Sequence, residues 1–477
     1  MNTEQHISPE LEPAPAGQAR AGAGGPAPLF SRPKPELLAP AGGMDQLRYA
    51  LYYGADAVYL AADRFGLRQR ASNFSLDDIP AAVAFAHEHG AKVYVTCNVL
   101  MESGDLKTLP AYLEALDAAG ADAVIVSDLG ALRLAQRHAP RLAVHVSTQA
   151  SVANAESARV WHELGASRIV CAREMSVADI AEMRAHIPAE LELEVFVHGA
   201  MCMAVSGRCL ISDYLAGRSG NKGNCTQPCR WHYRMEYRVE EEYRPGEWMP
   251  LEEDDRGAYL FNARDMNMLA HLDDLRTAGV DSLKIEGRNK KAFYVATVVN
   301  AYRQVLDGAD PAAFAPELEA ISHRPYSTGF YYGRGQQAPQ QDGYLQGCLH
   351  AATVEACEPA EGGGGAAPAG AAERPAEGSP AEDRANPGAP AAPAYRATVR
   401  CHNRFCEGGV LEVVSPHEPI RALEVRGLCL LHEEEGAEPW LEKVPVANRS
   451  MDRYVFEAPF ELREHDLLRA RKEPKGA

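Results

Sequence analysis

Residues 194–231 read EVFVHGAMCMAVSGRCLISDYLAGRSGNKGNCTQPCRW. Four cysteines lie in this stretch: Cys202, Cys209, Cys225 and Cys229. Six residues separate the first two, fifteen the second and third, and three the last two. The alternating apolar run Leu193–Val197 precedes them and predicts a buried strand. The thiols therefore follow the end of a strand, where α/β folds with parallel sheets gather their chemistry.

Four clustered thiols in a chain that shows no sign of secretion predict a metal or cluster site rather than disulfides. Zinc and iron–sulfur clusters both accept four thiolates. The spacing lacks the paired two-residue knuckles of zinc ribbons, which favours a cluster without deciding between the two. Unrelated buried thiols and a disulfide pair are the remaining alternatives.

Strand-like and helical segments alternate from Glu36 onward. The predicted strands are Glu36–Ala41, Asp56–Ala61, Lys92–Cys97, Asp122–Val126, Ala143–Val146, Arg168–Cys171, Leu193–Val197 and Asp281–Ile285. The predicted helices include Met44–Tyr53, Leu76–His89, Leu109–Ala119, Asn154–Leu164, Ala178–His186, Asn267–Ala278 and Ala292–Leu306. Several helices end at a Gly-Ala pair, where glycine supplies the left-handed cap. Eight such units predict a (β/α)8 TIM-like barrel, with a doubly wound open sheet as the alternative.

Composition predicts the domain organisation. Residues 1–33 are rich in Ala, Gly and Pro, which predicts a disordered N-terminal tail. The barrel is expected over 34–325. Over 326–475, short strands joined by turns predict a small C-terminal β-barrel domain. Residues 358–394 lack aromatic and β-branched side chains, which predicts a disordered insertion within that domain.

Length and charge limit the class of protein. The 477 residues are 46% hydrophobic, enough for sizeable cores, and the formal net charge is −18. That charge argues against a nucleic-acid binder over the whole surface, so an RNA role needs a local basic patch. The N-terminus lacks a signal-peptide pattern, and no apolar run reaches membrane length. We expect a soluble cytoplasmic protein without a membrane partner.

Longer motifs around the cysteines resemble those of peptidase family U32, the collagenase-like group. Glu194–Cys202 followed by Ser206–Ser212 is similar to the family signature, and Asn224–Trp231 to its continuation. Phe261–Asp265 and Leu283–Arg288 resemble further family motifs. Several relatives are iron–sulfur hydroxylases that act on the wobble uridine of transfer RNA, on ribosomal RNA cytidine or on quinone precursors, with prephenate implicated in the RNA cases. The resemblance implies a 4Fe-4S cluster on the four cysteines.

The candidate site gathers polar residues that follow the predicted strands. The candidate catalytic residues are His198, Lys284 and Glu286. The candidate binders of a carboxylate donor and of RNA are Arg64, Arg68, Arg70, Asn73, Arg230 and Arg288. Other polar residues at strand ends are Asn98, Asp128, Ser147, Thr148, Gln149, Arg173 and Glu174. Basic residues that flank the cysteines, such as Lys222, are interleaved with the aromatics Trp231 and Tyr233 and predict an RNA surface, to which Lys290 and Lys291 add. Cys97 and Cys171 lie in apolar strands and are expected to be packing residues.

The expected function is iron–sulfur-dependent hydroxylation of the wobble uridine of tRNA to 5-hydroxyuridine, with prephenate as a possible co-substrate and the anticodon loop as the bound RNA. The extra C-terminal domain and the three-residue gap between Cys225 and Cys229 resemble the transfer RNA branch of the family. The alternatives are a U32-type peptidase with Cys202 as nucleophile and His198 as base, a zinc-bound RNA-binding module, and a hydroxylase acting on rRNA or a quinone precursor.

Overall fold

A computed structural model describes residues 34–67, 73–202, 204–230, 263–333, 335–336, 344–360, 395–416, 418–433 and 438–472, with four residue pairs between 239 and 258. The predicted N-terminal tail and most of the predicted insertion lie outside the described residues. Within these ranges, no helix has both the length and the apolar character needed to cross a membrane.

Eight parallel strands close into a barrel. They are β1 (Glu36–Pro40), β2 (Ala57–Leu60), β3 (Lys92–Cys97), β4 (Ala123–Val126), β5 (Ala143–Val146), β6 (Arg168–Val170), β7 (Glu192–Ala200) and, later in the chain, β13 (Ser282–Ile285). Each strand pairs with the next, and β13 pairs with both β7 and β1. The predicted (β/α)8 barrel is confirmed, and the open-sheet alternative is wrong because the ladder returns to its first strand.

Helices accompany the strands of the barrel, and a short one lies in the segment that follows β7. They are α1 (Met44–Tyr52), α2 (Ile79–Glu88), α3 (Ser103–Ala118), α4 (Leu129–His138), α5 (Ala155–Glu163), α6 (Val177–His186), α7 (Ile211–Ala216), α8 (Leu272–Thr277), α9 (Ala292–Leu306) and α10 (Pro311–Ala320). The apolar face of α9, including Val295, Val299 and Tyr302, is buried in the core between helices and strands. Burial of these faces is the main stabilising contribution to such a layer.

The long connection between β7 and β13 contains short strands. They are β8 (Val239–Glu240), β9 (Trp248–Met249), β10 (Glu253–Asp254), β11 (Gly257–Ala258) and β12 (Asp265–Asn267). β12 runs antiparallel to the end of β7, with Met266 opposite Gly199. The helix predicted for Asn267–Ala278 is therefore wrong in its first part, because the protruding end of β7 offers unpaired backbone groups that β12 satisfies.

The C-terminal region consists of β-strands, and all of its described strand pairs but one are antiparallel. Its strands are β14 (Tyr326–Ser327), which pairs with β12, β15 (Cys348–Pro359), β16 (Tyr395–Cys401), β17 (Phe405–Cys406), β18 (Val410–Val414), β19 (Arg421–Glu424), β20 (Arg426–His432), β21 (Trp440–Lys443), β22 (Val446–Ala447), β23 (Arg453–Ala458) and β24 (Leu467–Arg471). Eight of them form one sheet in the order β19-β18-β24-β15-β16-β23-β20-β21. The predicted all-β character is confirmed, with β19 and β21 at the edges of the described ladder.

The start of the predicted insertion needs correction. β15 continues to Pro359, and Pro359 pairs with Tyr395 at the start of β16. Residues 358 and 359 therefore belong to a hairpin strand, because backbone pairing with β16 outweighs their low strand propensity.

The C-terminal sheet packs against the barrel. The Tyr53 hydroxyl donates a hydrogen bond to the Val414 carbonyl at 2.7 Å. Arg469, which is 2% exposed, bonds Glu317 of α10 and Glu412 of β18. Val414 and Leu467 also belong to the same apolar cluster as the barrel core.

Candidate functional site

The carboxyl ends of the barrel strands surround a cavity of about 440 Å³. Its walls include Tyr59, Thr96, Phe196 and Lys284, which lie on β2, β3, β7 and β13. The segment that follows β7 closes the other side and contributes all four of its cysteines. Both the volume and the place at the strand ends are those of small-molecule sites in barrel proteins.

The cysteines of the chain fall into distinct environments. Cys202 is exposed, whereas Cys209, Cys225 and Cys229 are half-buried, and none of the four is part of a disulfide bond. Cys97 and Cys171 are buried in the core, as are Cys348 and Cys401 in the C-terminal region. Burial raises the pKa of the Cys171 thiol to about 12, which keeps it neutral and poorly suited to bind a metal.

Backbone N–H groups point at three of the four loop sulfurs. In each case the donor lies two residues after its cysteine, at 3.5 Å from Cys202 Sγ, 3.4 Å from Cys209 Sγ and 3.3 Å from Cys225 Sγ. Hydrogen bonds to sulfur favour the thiolate and adjust the potential of a bound cluster. This segment, residues 202–229, is called the cysteine loop below.

Neighbouring strand ends hold the cysteine loop in place. The Glu174 carboxylate, after β6, accepts hydrogen bonds from the Ser206 N–H at 2.6 Å and from its hydroxyl at 2.8 Å. The side-chain oxygen of Asn221 accepts a hydrogen bond from the Cys209 N–H at 3.1 Å. The backbone carbonyl of Asn221 accepts another, at 2.8 Å, from the N–H of Leu100, which follows β3. The thiols are therefore presented by a loop tied to two sides of the barrel mouth.

The thiols share a cavity without meeting at one point. A single tetrahedral zinc, with Zn–S bonds of about 2.3 Å, needs sulfur atoms within about 4 Å of one another. Across the described ranges, no three Cys, His, Asp or Glu side chains are grouped so as to hold one metal ion. The four thiols at a common cavity are the donor set that iron–sulfur clusters use.

Three cations and two aromatic rings form an arc along the cavity wall. The Lys284 Nζ lies 4.3 Å from the ring centre of Tyr59 and 5.5 Å from that of Phe196. The guanidinium of Arg173 lies 4.5 Å from Phe196, and that of Arg288 lies 6.0 Å from Tyr59. All five side chains line the cavity, so one wall concentrates positive charge over apolar surface. We call these five residues the cationic arc.

A buried ion network fixes Lys284 from inside the barrel. Its Nζ donates to Glu194 at 2.7 Å, and Glu194 is fully buried. Glu194 also accepts from Arg168 at 3.2 Å, and Arg168 donates to Glu36 and Glu192 at 2.7 Å each. Burial opposes ionisation of Glu36, but Arg168 and three hydrogen bonds outweigh it and lower the pKa of Glu36. The network holds the Lys284 ammonium in place at the cavity wall.

Some predicted site residues meet at this cavity. Lys284, Glu286 and Arg288 line it together with the four cysteines, and Lys290 lies at its edge. Arg288 is 5% exposed and donates to Thr96 Oγ1 at 3.3 Å and to the Leu67 carbonyl. Lys284 lies on β13, and Glu286, Arg288 and Lys290 follow in the loop after it, so one strand and its loop bring these residues to the cavity that the cysteine loop also lines.

His198 lies elsewhere. Its ring is fully buried beside Tyr294, Tyr302 and Tyr326, and burial lowers its pKa to about 3. It does not line the cavity among the described residues. A β-bulge, at which the register with β13 skips one residue of β7, explains this placement, because it breaks the side-chain alternation after Phe196.

Of the remaining predicted binders, the two whose side chains the structure describes, Arg64 and Asn73, do not line the cavity. Arg64 is exposed and donates a hydrogen bond to Thr108 Oγ1 at 2.6 Å. Asn73 is described but is not one of the residues that line the cavity. Arg68 and Arg70 lie outside the described residues, as do Trp231, Tyr233 and the side chain of Arg230. Lys222, predicted for RNA, pairs with Asp105 at 2.6 Å and Glu102 at 3.3 Å.

Two aromatic members of the site, Tyr59 and Phe196, were not predicted from the sequence. Both look like ordinary buried strand residues there, because each lies in an apolar run. Their sequence signal is weak: each is an aromatic near the carboxyl end of a barrel strand, at a position that faces the interior.

The closed barrel and its cysteine loop define a TIM-like barrel protein with a thiol-lined site at the barrel mouth. The family model described as "Peptidase family U32" matches residues 42–341, and the chain belongs to this family. The chain is 38% identical over 339 residues to tRNA hydroxylation protein P of Escherichia coli K12, a match that covers 62% of this chain and 74% of that one.

Other relatives are also named for RNA hydroxylation. Identity to tRNA hydroxylation protein P1 of Bacillus subtilis 168 is 39% over 308 residues, covering 63% of this chain and 71% of that one. Identity to the 23S rRNA 5-hydroxycytidine C2501 synthase of E. coli K12 is 36% over 319 residues, covering 63% of this chain and 45% of that one.

Proposed function

We propose that this protein hydroxylates the wobble uridine of tRNA to 5-hydroxyuridine, with a 4Fe-4S cluster held by the cysteine loop and a prephenate-type carboxylate as co-substrate. The observation that carries the proposal is the shared cavity: the four thiols of the cysteine loop and the cationic arc line the same space of about 440 Å³. Relatives at 38% and 39% identity, both named tRNA hydroxylation proteins, support the RNA substrate.

Cys202, Cys209, Cys225 and Cys229 would hold the cluster. A four-iron cluster binds each thiolate at a different iron, so its ligands need not converge on one point. The N–H donors at three sulfurs would stabilise the charge of the thiolates. When bound, such a group supplies redox or Lewis-acid chemistry at the cavity, while the protein supplies orientation and electrostatics.

The cationic arc would bind the carboxylate co-substrate. Arg173 and Arg288 offer guanidinium forks that match carboxylates, and Lys284 adds a fixed point charge between them. Arg173 is held by the Ala200 carbonyl at 3.1 Å. Because backbone or buried side chains anchor all three cations, they would orient an anion without first being ordered themselves.

An aromatic ring and a basic side chain at the edge of the cavity are suited to binding a nucleotide. Tyr344 is 51% exposed at the cavity edge, and the Lys290 Nζ lies 4.9 Å from its ring centre. An exposed ring beside a basic group can stack an unpaired base while the cation meets the phosphate. The proposal therefore places the anticodon loop over Tyr344 and Lys290.

The test is nucleoside mass spectrometry of tRNA from a strain that lacks the gene. We expect 5-hydroxyuridine and nucleosides derived from it to disappear and to return with the wild-type gene. Unchanged amounts in the deletion strain, with no second enzyme that makes the modification, would reject the proposal.

Hydroxylation of ribosomal RNA cytidine is the second candidate, favoured by the 36% identical relative named for 5-hydroxycytidine. Digesting ribosomal RNA from the same strains distinguishes it. A peptidase with Cys202 as nucleophile and His198 as base is disfavoured, because Cys202 lines the cavity whereas His198 is buried away from it.

A further inference from the structure

Gln149 is a buried amide that faces the cavity. It lies on the 3-10 turn Thr148–Ala150 that follows β5, and its side chain is 7% exposed. Within the part of the chain that the structure describes, no hydrogen bond to its carboxamide is present. The amide oxygen and nitrogen of Gln149 open onto the cavity, so they are available to a ligand group that donates one hydrogen bond and accepts another.

The neighbouring amide behaves differently. Asn98 lines the same cavity, but its Nδ2 donates to Ser147 Oγ at 3.1 Å and its Oδ1 accepts from the Leu67 N–H at 3.4 Å. Both ends of Asn98 are therefore engaged, which fixes its orientation and makes it part of the framework. Gln149 keeps a donor and an acceptor for whatever enters the cavity.

Gln149 also lies beside the cysteine loop. A Cβ added to Gly207 would stand 3.5 Å from Gln149 Nε2, so the amide packs against that backbone. The backbone N–H of Gln149 donates a hydrogen bond to Ser147 Oγ at 3.4 Å, which anchors the turn. A group bound by this amide would thus lie next to the wall that carries the four thiols.

We infer that Gln149 reads the Watson–Crick edge of the target pyrimidine, an inference that rests on the proposed function. Uracil presents an N3–H donor beside a carbonyl acceptor, and cytosine presents an N3 acceptor beside an amino donor. One carboxamide pairs with either after a 180° turn about its terminal bond. Enzymes that act on a base commonly bind it unstacked and read this edge.

The geometry of the ring explains why this edge is suitable. In a pyrimidine, the C5–C6 side lies across the ring from N3. A base held at N3 by Gln149 therefore presents C5 to the rest of the cavity rather than to the protein group that binds it. Gln149 is thereby assigned as a specificity-determining residue that leaves the reacting carbon unobstructed.

Binding of a synthetic anticodon stem-loop RNA to the full-length protein tests this assignment. The RNA carries either uridine or 3-methyluridine at the wobble position, because the methyl group removes the N3–H donor. Fluorescence anisotropy should show the wild type binding the uridine RNA about 10- to 100-fold more tightly, the range expected for one paired base contact. Q149M should reduce this ratio to about threefold or less.

Q136M is the matched control, because Gln136 lies on α4 and bonds the Leu164 carbonyl away from the cavity. It should retain the wild-type ratio. Q149L, which removes both the donor and the acceptor of the side chain, should also lower the ratio and serves if Q149M does not fold.

The outcomes separate the two claims. Equal discrimination by the wild type and a folded Gln149 variant would overturn the role of Gln149 and leave the proposed function standing. Failure of the wild type to bind either RNA would instead count against the proposed function, and the role of Gln149 would be rejected with it.

Discussion

The Glu174 carboxylate accepts two hydrogen bonds from Ser206, at 2.6 Å from the backbone N–H and 2.8 Å from the hydroxyl. Ser206 lies between Cys202 and Cys209, and its φ of 43° is in the left-handed region that non-glycine residues seldom adopt. This pair of bonds therefore stabilises an unfavourable backbone conformation in the cysteine loop and ties the loop to the end of β6.

Glu174→Ala should weaken cofactor retention without unfolding the barrel. The Ser206 N–H loses its acceptor, and we expect a cost of about 1–3 kcal/mol, borne locally by the cysteine loop. Anaerobically purified Glu174→Ala should contain less than about half of the wild-type iron per chain, with a near-wild-type circular dichroism spectrum. Glu182→Ala, at an exposed position of α6, is the control. Equal iron content in Glu174→Ala and Glu182→Ala would show that the hydrogen bonds between Glu174 and Ser206 are not needed to retain the cofactor.

Arg288→Gln should weaken use of the carboxylate co-substrate. The substitution removes one charge of the cationic arc, and a charge-assisted contact of about 1.5–3 kcal/mol corresponds to a KM for the donor raised roughly 10- to 100-fold. The affinity for tRNA should change little. Arg64→Gln is the informative comparison, because the sequence predicts Arg64 as a binder whereas its side chain lies outside the cavity. If Arg64→Gln raises this KM as much as Arg288→Gln does, the cationic arc is not the donor site.

His198 should make the protein less stable in mild acid. Burial lowers its pKa from 6.5 to about 3. As the pH falls below 6.5 the unfolded chain binds a proton that the folded chain binds only near pH 3, so the free energy of unfolding falls in that window. From pH 7 to pH 5 this loss amounts to about 2 kcal/mol.

Urea unfolding of the wild type and His198→Phe at both pH values measures this contribution. On acidification, the free energy of unfolding of the variant should fall by about 2 kcal/mol less than that of the wild type, because phenylalanine does not titrate. Identical losses would mean that His198 titrates normally in the folded protein, as a general base near neutral pH must.

Shortening the segment between β15 and β16 should be tolerated. Pro359 and Tyr395 pair directly, so the ends of the segment are already adjacent. Replacing residues 361–393 by a four-residue Gly-Ser linker should leave stability unchanged or raise it by about 1–2 kcal/mol, because loop closure costs less for a short loop. Thermal unfolding is the measurement.

Deleting 358–393 provides the contrast for this prediction. That deletion also removes the pairing of Glu358 with Arg396 and of Pro359 with Tyr395, so its melting temperature should fall below that of the shorter deletion. A large loss of stability on removing only 361–393 would contradict the predicted disordered insertion.

The helices and strands could be predicted from the sequence wherever the pattern of apolar residues was uninterrupted. The predicted bounds of Lys92–Cys97 and Ala292–Leu306 agree with the structure, because each is a largely apolar segment with polar or glycine residues on both sides. β12 was missed because its three residues form a strand only in response to the unpaired end of β7, which is a tertiary effect.

Only part of the site could be predicted from the sequence. The cysteine loop stands out because four thiols lie close together in the sequence. Whether Arg64 or Arg173 faces the cavity depends on which side chain turns inward after its strand, and polar residue type does not reveal this. His198 illustrates the same limit, since one bulged residue in β7 moves it out of the cavity.

The most direct test is the iron and acid-labile sulfide content of the anaerobically purified protein and its cysteine variants. The wild type should contain about four of each per chain, as a 4Fe-4S cluster requires. Cys202→Ala, Cys209→Ala, Cys225→Ala and Cys229→Ala should each lose the brown colour and most of the iron, whereas Cys171→Ala should retain both. Stoichiometric zinc in place of iron, or full iron in any of the four loop variants, would contradict the account.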